Sequence, residues 1–407
     1  DWPESERGDL LGECDLIMSF LMYNDISAMS RLHRSASAQM SRPAISIQKS
    51  GGWTFGSPSV LMMFYRAPGE LQSELQEMDE CMPHYYKITN GHGQGAETIM
   101  RAEADFMRAC FADAQIMLER AYAQIDGNGQ ENMALCCDFL AWRLSLCTSF
   151  TPRESFEQRR EALLQQHNVA WLNILQSSCA YYYALLGLPE KIPAVFREHQ
   201  LASIHFLAPG KPMMELIENQ VYLAQGEYAK VIGHSEALLG MCEAMHYALV
   251  ALHIRLQTAA AYEMLGKRET ADELLISALA AAEPDALYLP FVENYRYLKT
   301  ALTRGAGAKF AAFVRTVTPL GEDFVRRCGE KRAEGSRPAA LAGLTERESA
   351  IAALVAKRLS NREIAEQLFL SEGSVKQYIN QIYSKLLITG DVRTKRKRLA
   401  ELAAPKS

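Results

Sequence analysis

The middle of the chain is interrupted at nearly equal intervals, and this regularity restricts the folds that it can adopt. From residue 97 to about residue 322, apolar side chains recur every three or four positions, as they do in amphipathic helices. Breaks in this pattern fall with spacings of 38, 40, 39 and 40 residues, at Ala109, Cys147, Gly187, Gly226 and Gly266. Glycine is common at such places because it ends a helix easily in the left-handed conformation. The spacing predicts stacked helical hairpins, since one hairpin alone cannot bury its apolar face.

The hairpin pattern resembles tetratricopeptide repeats that are lengthened by a few residues. The segments 100–121, 218–239 and 257–279 each show a first helix, a short break and a second helix. The resemblance implies an all-α, superhelical array of helical hairpins over residues 1–328, with a groove that holds a peptide, a partner helix or a small effector. A spacer that binds no ligand is the alternative interpretation.

Length and composition indicate a globular chain with more than one folding unit. The chain has 407 residues, of which 48% are hydrophobic and 22% are charged. No run of about 18 consecutive apolar residues indicates a membrane span. The nine cysteines form no C-x-x-C pair, which favours free thiols in a reducing cytoplasm over a disulfide framework or a zinc site. We expect a cytoplasmic protein and, because the sequence starts at Asp1, a part of a longer one.

The first hundred residues contain an aromatic loop between helical segments. A helix pair is predicted with a break at Asn24 and Asp25, followed by a loop in which Trp53 and Phe55 stand between glycines, and then by a short apolar helix. Aromatic residues in such a loop either attach it to the core or line a pocket. The core role is favoured, and Trp53 and Phe55 are the candidate effector-binding residues if a pocket exists.

Signals for enzymes and metal sites are weak in this sequence. Glycines alternate in GHGQGA at 91–96, but no apolar strand precedes them, so we interpret the segment as a flexible turn before a helix that begins near Ala96. Both GK pairs are followed by Pro or Arg, which excludes a P-loop within this sequence. Cys81, His84 and His92 match no standard zinc spacing. We expect no cofactor, no metal and no enzymatic activity.

The end of the chain is basic, whereas the rest is acidic. Residues 337–407 contain 13 Lys+Arg and 7 Asp+Glu, a net charge of +6, and the remainder contains 30 and 41, a net charge of −11. A basic tail on an acidic body suggests a polyanionic partner, although a solvated charged face is an equally good explanation of charge alone. Residues 329–341, charged and then rich in Gly, Ser, Pro and Ala, predict a linker before a unit at 342–407.

Four short helices are predicted after the linker. Side chains that cap helices stand at the predicted starts of the first three: Thr345, Ser360 or Asn361, and Ser371 or Ser374. Glu348 completes a capping box at the first of these starts. A turn at 370–373 separates the second and third helices, and the fourth covers 393–403. Two short helices braced by a third are typical of a helix-turn-helix.

The third of these helices is polar on the side opposite its apolar residues. With Val375, Ile379, Ile382 and Leu386 inward, the outward face carries long or amide side chains that are able to read base edges. The predicted base-reading residues are Lys376, Gln377 and Asn380. The predicted phosphate contacts, at helix starts and beside this face, are Thr345, Ser360, Asn361, Arg362, Ser371, Ser374, Tyr378, Gln381, Lys385, Lys395 and Arg396.

The segments LTERE and SNREIAEQLFLSEGSVKQYINQIYSKL resemble the LuxR-type DNA-binding domain of bacterial transcription factors. The resemblance implies a four-helix fold, double-stranded DNA as a partner, and base contacts at Lys376, Gln377 and Asn380. It also implies a dimer on DNA and RNA polymerase as a further partner. Two positions depart from the family pattern, which commonly has glycine where Arg358 stands and histidine where Tyr378 stands.

The remainder resembles the helical-repeat sensor region of MalT-like large regulators, in its elongated repeats and in WTFGSPSVL and AEPDALYLPFVEN. In that family an ATPase module of the STAND type precedes the repeats, and this sequence contains none. The combined expectation is a bacterial transcription regulator in which the repeats sense an effector or a protein partner. The alternative is a helical-repeat scaffold whose C-terminal unit binds protein rather than DNA.

Overall fold

The computed structural model describes residues 3–167, 169–204, 207–305, 307–335, 341 and 343–403. Every regular element in these residues is helical, which confirms the predicted all-α class. The chain divides into residues 1–328, called unit 1, and residues 329–407, called unit 2. The helices that begin in unit 1 are α1 Glu4–Phe20, α2 Ile26–Gln39, α3 Leu61–Phe64, α4 Leu71–Thr89, α5 Ala96–Met107, α6 Phe111–Ile125, α7 Glu131–Cys147, α8 Phe156–Gln165, α9 Val169–Leu186, α10 Ala194–Arg197, α11 Lys211–Gln225, α12 Tyr228–Ala244, α13 Ala248–Met264, α14 Arg268–Ala282, α15 Leu289–Glu293, α16 Tyr295–Gly305 and α17 Ala311–Gly335. Short 3-10 helices lie between them at Pro189–Lys191, Leu201–Ser203, Ala208–Gly210 and Glu283–Asp285.

Unit 2 contains four further helices, α18 Glu346–Ala356, α19 Asn361–Leu368, α20 Glu372–Lys385 and α21 Val392–Ala403. Residues 329–335 of the predicted linker form the end of α17, and residues 336–340 lie outside the described residues. None of the helices in the part of the chain that the structure describes is long and apolar enough to cross a membrane.

The predicted breaks of the repeat lie where helices end. Ala109, Gly187, Gly226 and Gly266 have φ values between 59° and 77°, in the left-handed region. Left-handed backbone reverses the chain in a few residues, so the next helix returns alongside, as in the pairs α5–α6, α11–α12 and α13–α14, which pack against each other. Cys147 is different, because it is the last residue of α7 and α8 begins only at Phe156.

A buried ion pair connects helices that are distant in sequence within unit 1. Arg143 on α7 and Glu293 on α15 are each 1% exposed, and two hydrogen bonds of 2.8 and 3.1 Å join them. The Tyr181 hydroxyl on α9 donates to the same carboxylate at 2.8 Å. Burial by itself lowers the pKa of Arg143. The Glu293 carboxylate raises that pKa by more than burial lowers it, so the guanidinium stays charged. The segment AEPDALYLPFVEN thus supplies Glu293, which binds both α7 and α9.

The N-terminal part of unit 1 follows the predicted order. Asp25 caps α2 by accepting a hydrogen bond from the Ala28 amide at 2.9 Å, which confirms the predicted break before it. The segment GHGQGA forms a turn in which Gly91, Gly93 and Gly95 all have positive φ, and α5 begins at Ala96. None of the nine cysteines, all of which lie in the part of the chain that the structure describes, forms a disulfide, and six of them are buried.

Candidate nucleic-acid interface

Hydroxyl side chains determine where the helices of unit 2 begin. Thr345 and Ser360 each accept a hydrogen bond from the backbone amide three residues later, at 3.3 Å. The glutamate at that later position accepts from the amide of the cap in turn, which completes a capping box on α18 and on α19. Ser371 caps α20 through the Ser374 amide at 3.1 Å. The predicted starts of these three helices are confirmed.

Helix α20 separates apolar from polar side chains. Val375, Ile379 and Ile382 are at most 4% exposed and belong to the core of unit 2. The opposite face, called the α20 face, consists of the exposed residues Lys376, Gln377, Asn380 and Gln381. Within the described residues, none of these four side chains makes a hydrogen bond or an ion pair. The hydrogen-bond donors and acceptors of the α20 face can therefore bind a ligand without first breaking an intramolecular contact within the described residues.

Lys385, at the end of α20, pairs with α18. Its Nζ lies 2.7 Å from Oε2 of Glu348, whose side chain is 3% exposed. The same carboxylate accepts from the Thr345 amide at 2.8 Å and from the Thr345 hydroxyl at 2.9 Å. Burial by itself raises the pKa of Glu348, but the hydrogen bonds from Lys385 and Thr345 outweigh burial and lower that pKa. Lys385, a predicted phosphate contact, thus connects α18 to α20.

Two further predicted phosphate contacts bind each other. Arg396 on α21 donates from Nη1 to Oδ1 of Asn361 at 2.7 Å and from Nη2 to the Leu359 carbonyl at 2.6 Å. The Nζ atom of Lys395 lies 5.8 Å from the centre of the Tyr383 ring. These contacts attach α21 to the start of α19 and to α20. The three cationic or amide side chains therefore contribute to the fold of unit 2.

The other predicted phosphate contacts lie nearer to solvent. Arg362, on the first turn of α19, pairs with Glu366 at 3.2 Å, and both side chains are exposed. An exposed pair of this kind contributes little to stability, so a phosphate can replace the glutamate easily. Tyr378 is half-buried and packs against the core of unit 2. The Ser374 hydroxyl lies 2.8 Å from that of Ser371.

Three turns of unit 2 hold bulky residues in the left-handed region, at Arg358, Phe369 and Leu387. Arg358, after α18, has a φ of 63°, and Phe369, between α19 and α20, has a φ of 52°. Left-handed backbone costs an L-residue about 1–2 kcal/mol, which is a physical reason for the glycine that LuxR-type domains commonly have where Arg358 stands. Phe369 is 96% exposed, so no burial of its ring offsets this cost.

In unit 1, Trp53 and Phe55 line an apolar cavity of about 230 Å³. Both rings are half-buried and pack against the core, and the Trp53 ring lies 5.2 Å from that of Phe64. The same residues therefore attach the loop to the core and form a cavity wall. Sequence analysis did not identify His33 and His92 as neighbours in this wall, because they lie on separate segments and no local pattern marks them.

Comparison with known proteins concerns unit 2. Residues 342–396 match the GerE family model, described as bacterial regulatory proteins of the luxR family. The chain is 41% identical over 63 residues to the transcriptional regulatory protein LnrK of Bacillus subtilis (strain 168), which covers 14% of this chain and 29% of that protein. It is 39% identical over 46 residues to the DNA-binding transcriptional activator DevR/DosR of Mycobacterium tuberculosis (strain ATCC 25618 / H37Rv), which covers 11% and 21%. The chain thus spans less than a third of the length of these two relatives.

The four short helices, three of them capped by hydroxyl side chains, together with the polar α20 face and the family match define the class of unit 2. It carries a LuxR-type helix-turn-helix domain, and the relatives that share this domain are transcriptional regulators. This confirms the resemblance found in the segments LTERE and SNREIAEQLFLSEGSVKQYINQIYSKL. The matched residues lie within unit 2, so the resemblance of unit 1 to MalT-like repeats stays a prediction.

Proposed function

We propose that this protein is a bacterial transcription regulator that binds double-stranded promoter DNA through unit 2. The observation that carries the proposal is the exposed α20 face with its unengaged side chains. A lysine such as Lys376 can donate to guanine O6 and N7, and amides such as Gln377 and Asn380 can pair with adenine in the major groove. The buried side of α20 holds the helix in one orientation, so these side chains meet the bases together.

In this proposal, positively charged side chains and helix N-termini around the α20 face contact the DNA phosphates and so position the duplex. Arg362 at the start of α19 and the hydroxyl groups of Ser371 and Ser374 are suited to phosphate oxygens. Lys385 and Arg396 act mainly by holding α20 and α19 in place, because each is bound to a neighbouring helix. DNA affinity should then fall steeply with salt, as it does wherever bound counterions are released.

Unit 1 acts in this proposal as a superhelical, tetratricopeptide-like sensor for an effector or a protein partner. Support comes from the left-handed breaks at regular spacing and from the helix pairs that they create. One helix-turn-helix unit covers one half-site, and operators commonly have two-fold symmetry, so the proposal includes a dimer on DNA. It also includes contact with RNA polymerase, location in the cytoplasm, and a regulatory rather than a catalytic role.

Selection of duplexes from a randomised pool by the full chain tests the proposal. Lys376→Ala should weaken binding of the selected site by about 1–3 kcal/mol and relax preference at one base position. Lys357→Ala is the matched control, since it removes the same charge from an exposed position at the end of α18 that is not part of the α20 face.

The control should retain the site preference of the wild-type chain. A flat salt response, or an unchanged preference in Lys376→Ala, would contradict the proposed reading of DNA. Protection of α20 by a protein partner, with no duplex enriched, would favour the scaffold alternative.

A further inference from the structure

An apolar cavity lies within the first part of unit 1, between α2, α4 and the loop that contains Trp53 and Phe55. Its volume is about 230 Å³. Buried Phe64, Met78 and Met82 form part of its lining, and the Trp53 and Phe55 rings form another part. Aromatic rings and thioethers are polarisable, so this surface favours flat aromatic ligands.

The cavity lining carries no formal charge. Of its side chains only two could become charged near neutral pH, His33 and His92. Burial lowers the pKa of His33 to about 4, and its ring nitrogens lie 3.2 Å from Cys81 Sγ and 2.8 Å from Ser19 Oγ. Burial also lowers the pKa of His92, whose nitrogens lie 2.7 Å from the Tyr85 hydroxyl and 3.2 Å from a backbone carbonyl. In both rings the lowered pKa favours the neutral form, and both nitrogens of each ring have a partner.

The loop beside the cavity is held in place by specific contacts. The amides of Trp53 and Thr54 both donate to Oδ1 of Asn132, at 2.6 and 3.0 Å. The Trp53 indole also packs so closely over Gly93 that a methyl group at that position would overlap it. The cavity is therefore part of a rigid arrangement, as small-molecule sites commonly are.

The cavity has a rim that reaches solvent. Tyr23 and Leu207 belong to its lining and are 48% and 62% exposed. The lining of the cavity therefore extends from the core of unit 1 to its surface.

Size and charge together restrict the class of ligand. A dry apolar cavity of about 150 Å³ binds benzene, so a cavity of about 230 Å³ accommodates a somewhat larger molecule. An anion or a cation would lose its hydration without finding an opposite charge, which is strongly unfavourable. We propose that this cavity binds an uncharged aromatic small molecule of one or two rings, as the effector of unit 1. Its regulatory role rests on the proposed function, whereas binding itself does not require DNA.

Isothermal titration calorimetry on the full chain without DNA tests the inference. The probes are indole and naphthalene, with indole-3-acetate and 2-naphthoate as anionic counterparts of similar shape. We expect the neutral probes to bind and the anionic ones to bind at least about tenfold more weakly. Equal binding of neutral and anionic probes, or no binding of indole at millimolar concentration and of naphthalene up to its solubility limit, would overturn the inference.

A pair of substitutions localises the binding. Ile47→Trp places an indole in the cavity, because Ile47 lines it, and should weaken neutral probe binding at least about tenfold. Ile45→Trp is the matched control, since Ile45 is 80% exposed and does not line the cavity. Met29→Trp, which places an indole in the cavity from α2, serves as a second variant if circular dichroism shows that Ile47→Trp is unfolded.

Neutral probe binding that neither filling variant weakens would also overturn the inference. DNA affinity of the same preparations is measured in parallel, because unit 2 is not altered. Absence of probe binding with normal DNA binding refutes only the cavity ligand, and absence of DNA binding with normal probe binding refutes only the proposed DNA-binding function.

Discussion

The same substitution, lysine to methionine, should have different effects at two positions of α20. We expect Lys385→Met to destabilise unit 2 and Lys376→Met to weaken DNA binding. Lys385 donates at 2.7 Å to the Glu348 carboxylate, which is 3% exposed, whereas Lys376 is exposed and has no partner within the described residues. A hydrogen bond to a charged group contributes about 1.5–3 kcal/mol, and an exposed ion pair about 0.2–1 kcal/mol. Because the Lys385 side chain is itself 43% exposed, we expect Lys385→Met to cost unit 2 about 1–2 kcal/mol.

Hydrogen exchange of the full chain, read by mass spectrometry, measures this cost locally. Lys385→Met should speed exchange at amides of α18 and α20 about 5–30-fold, because their contact opens more often. Lys376→Met should leave exchange unchanged and lower the affinity for a selected duplex. If Lys385→Met leaves exchange unchanged and lowers DNA affinity as much as Lys376→Met does, the pairing with Glu348 is unimportant and Lys385 is a phosphate contact.

The same pair predicts a pH dependence in this assay. The folded-state pKa of Glu348 is lowered from its usual value of 4.5. A lowered pKa contributes stability that is fully present above the unfolded-state value and is lost as the pH falls through the folded-state value. The contact between α18 and α20 should therefore weaken below about pH 4.5 in the wild-type chain, and less so in Lys385→Met. Exchange rates corrected for their intrinsic pH dependence would show the difference, and equal acid sensitivity of both chains would contradict it.

Three further substitutions test features of the fold. Arg358→Gly should stabilise unit 2 by about 1 kcal/mol because it relieves left-handed backbone, and slower exchange in α18 and α19 would show this. Gly93→Ala should displace the indole above it and abolish probe binding in the cavity, whereas Gly127→Ala, with a similar φ and open space around it, should retain binding. Arg143→Met should cost about 3–5 kcal/mol in urea unfolding by leaving the Glu293 carboxylate buried without a positive charge beside it, and the double variant with Glu293→Met should regain most of that loss. A double variant less stable than the single one would refute this account.

Local signals in the sequence predicted the helices and many of their ends. A capping box involves residues three positions apart, so Thr345 and Ser360 could be identified as helix starts without any tertiary information. The same is true of the repeat breaks at Gly187, Gly226 and Gly266, where a helix ends in left-handed backbone. The exposed side of α20 followed from helical periodicity, because the apolar positions define which side is buried.

The partners of charged side chains could not be predicted in this way. Lys385 and Glu348 are 37 residues apart, and Arg396 and Asn361 are 35 apart, so no helical period connects them. From sequence, each cation looked equally suited to a phosphate. Only the packing of α18, α19, α20 and α21 decided which cations stabilise unit 2 and which remain available to a ligand.

The cavity in unit 1 likewise has one feature that the sequence shows and others that only the tertiary structure shows. An aromatic loop between glycines was visible in the sequence, and it left two roles open for Trp53 and Phe55. The residues that complete the cavity lie on other helices. Asn132, which holds the loop, is on α7, and His33, which lies in the cavity lining, is on α2, so no local pattern connects either residue to Trp53. Sequence by itself determined the all-α class, many of the helix ends and the LuxR-type unit, because these depend on neighbours along the chain. Tertiary structure alone decided the ion pairs and the uncharged cavity, because these depend on residues that only folding brings together.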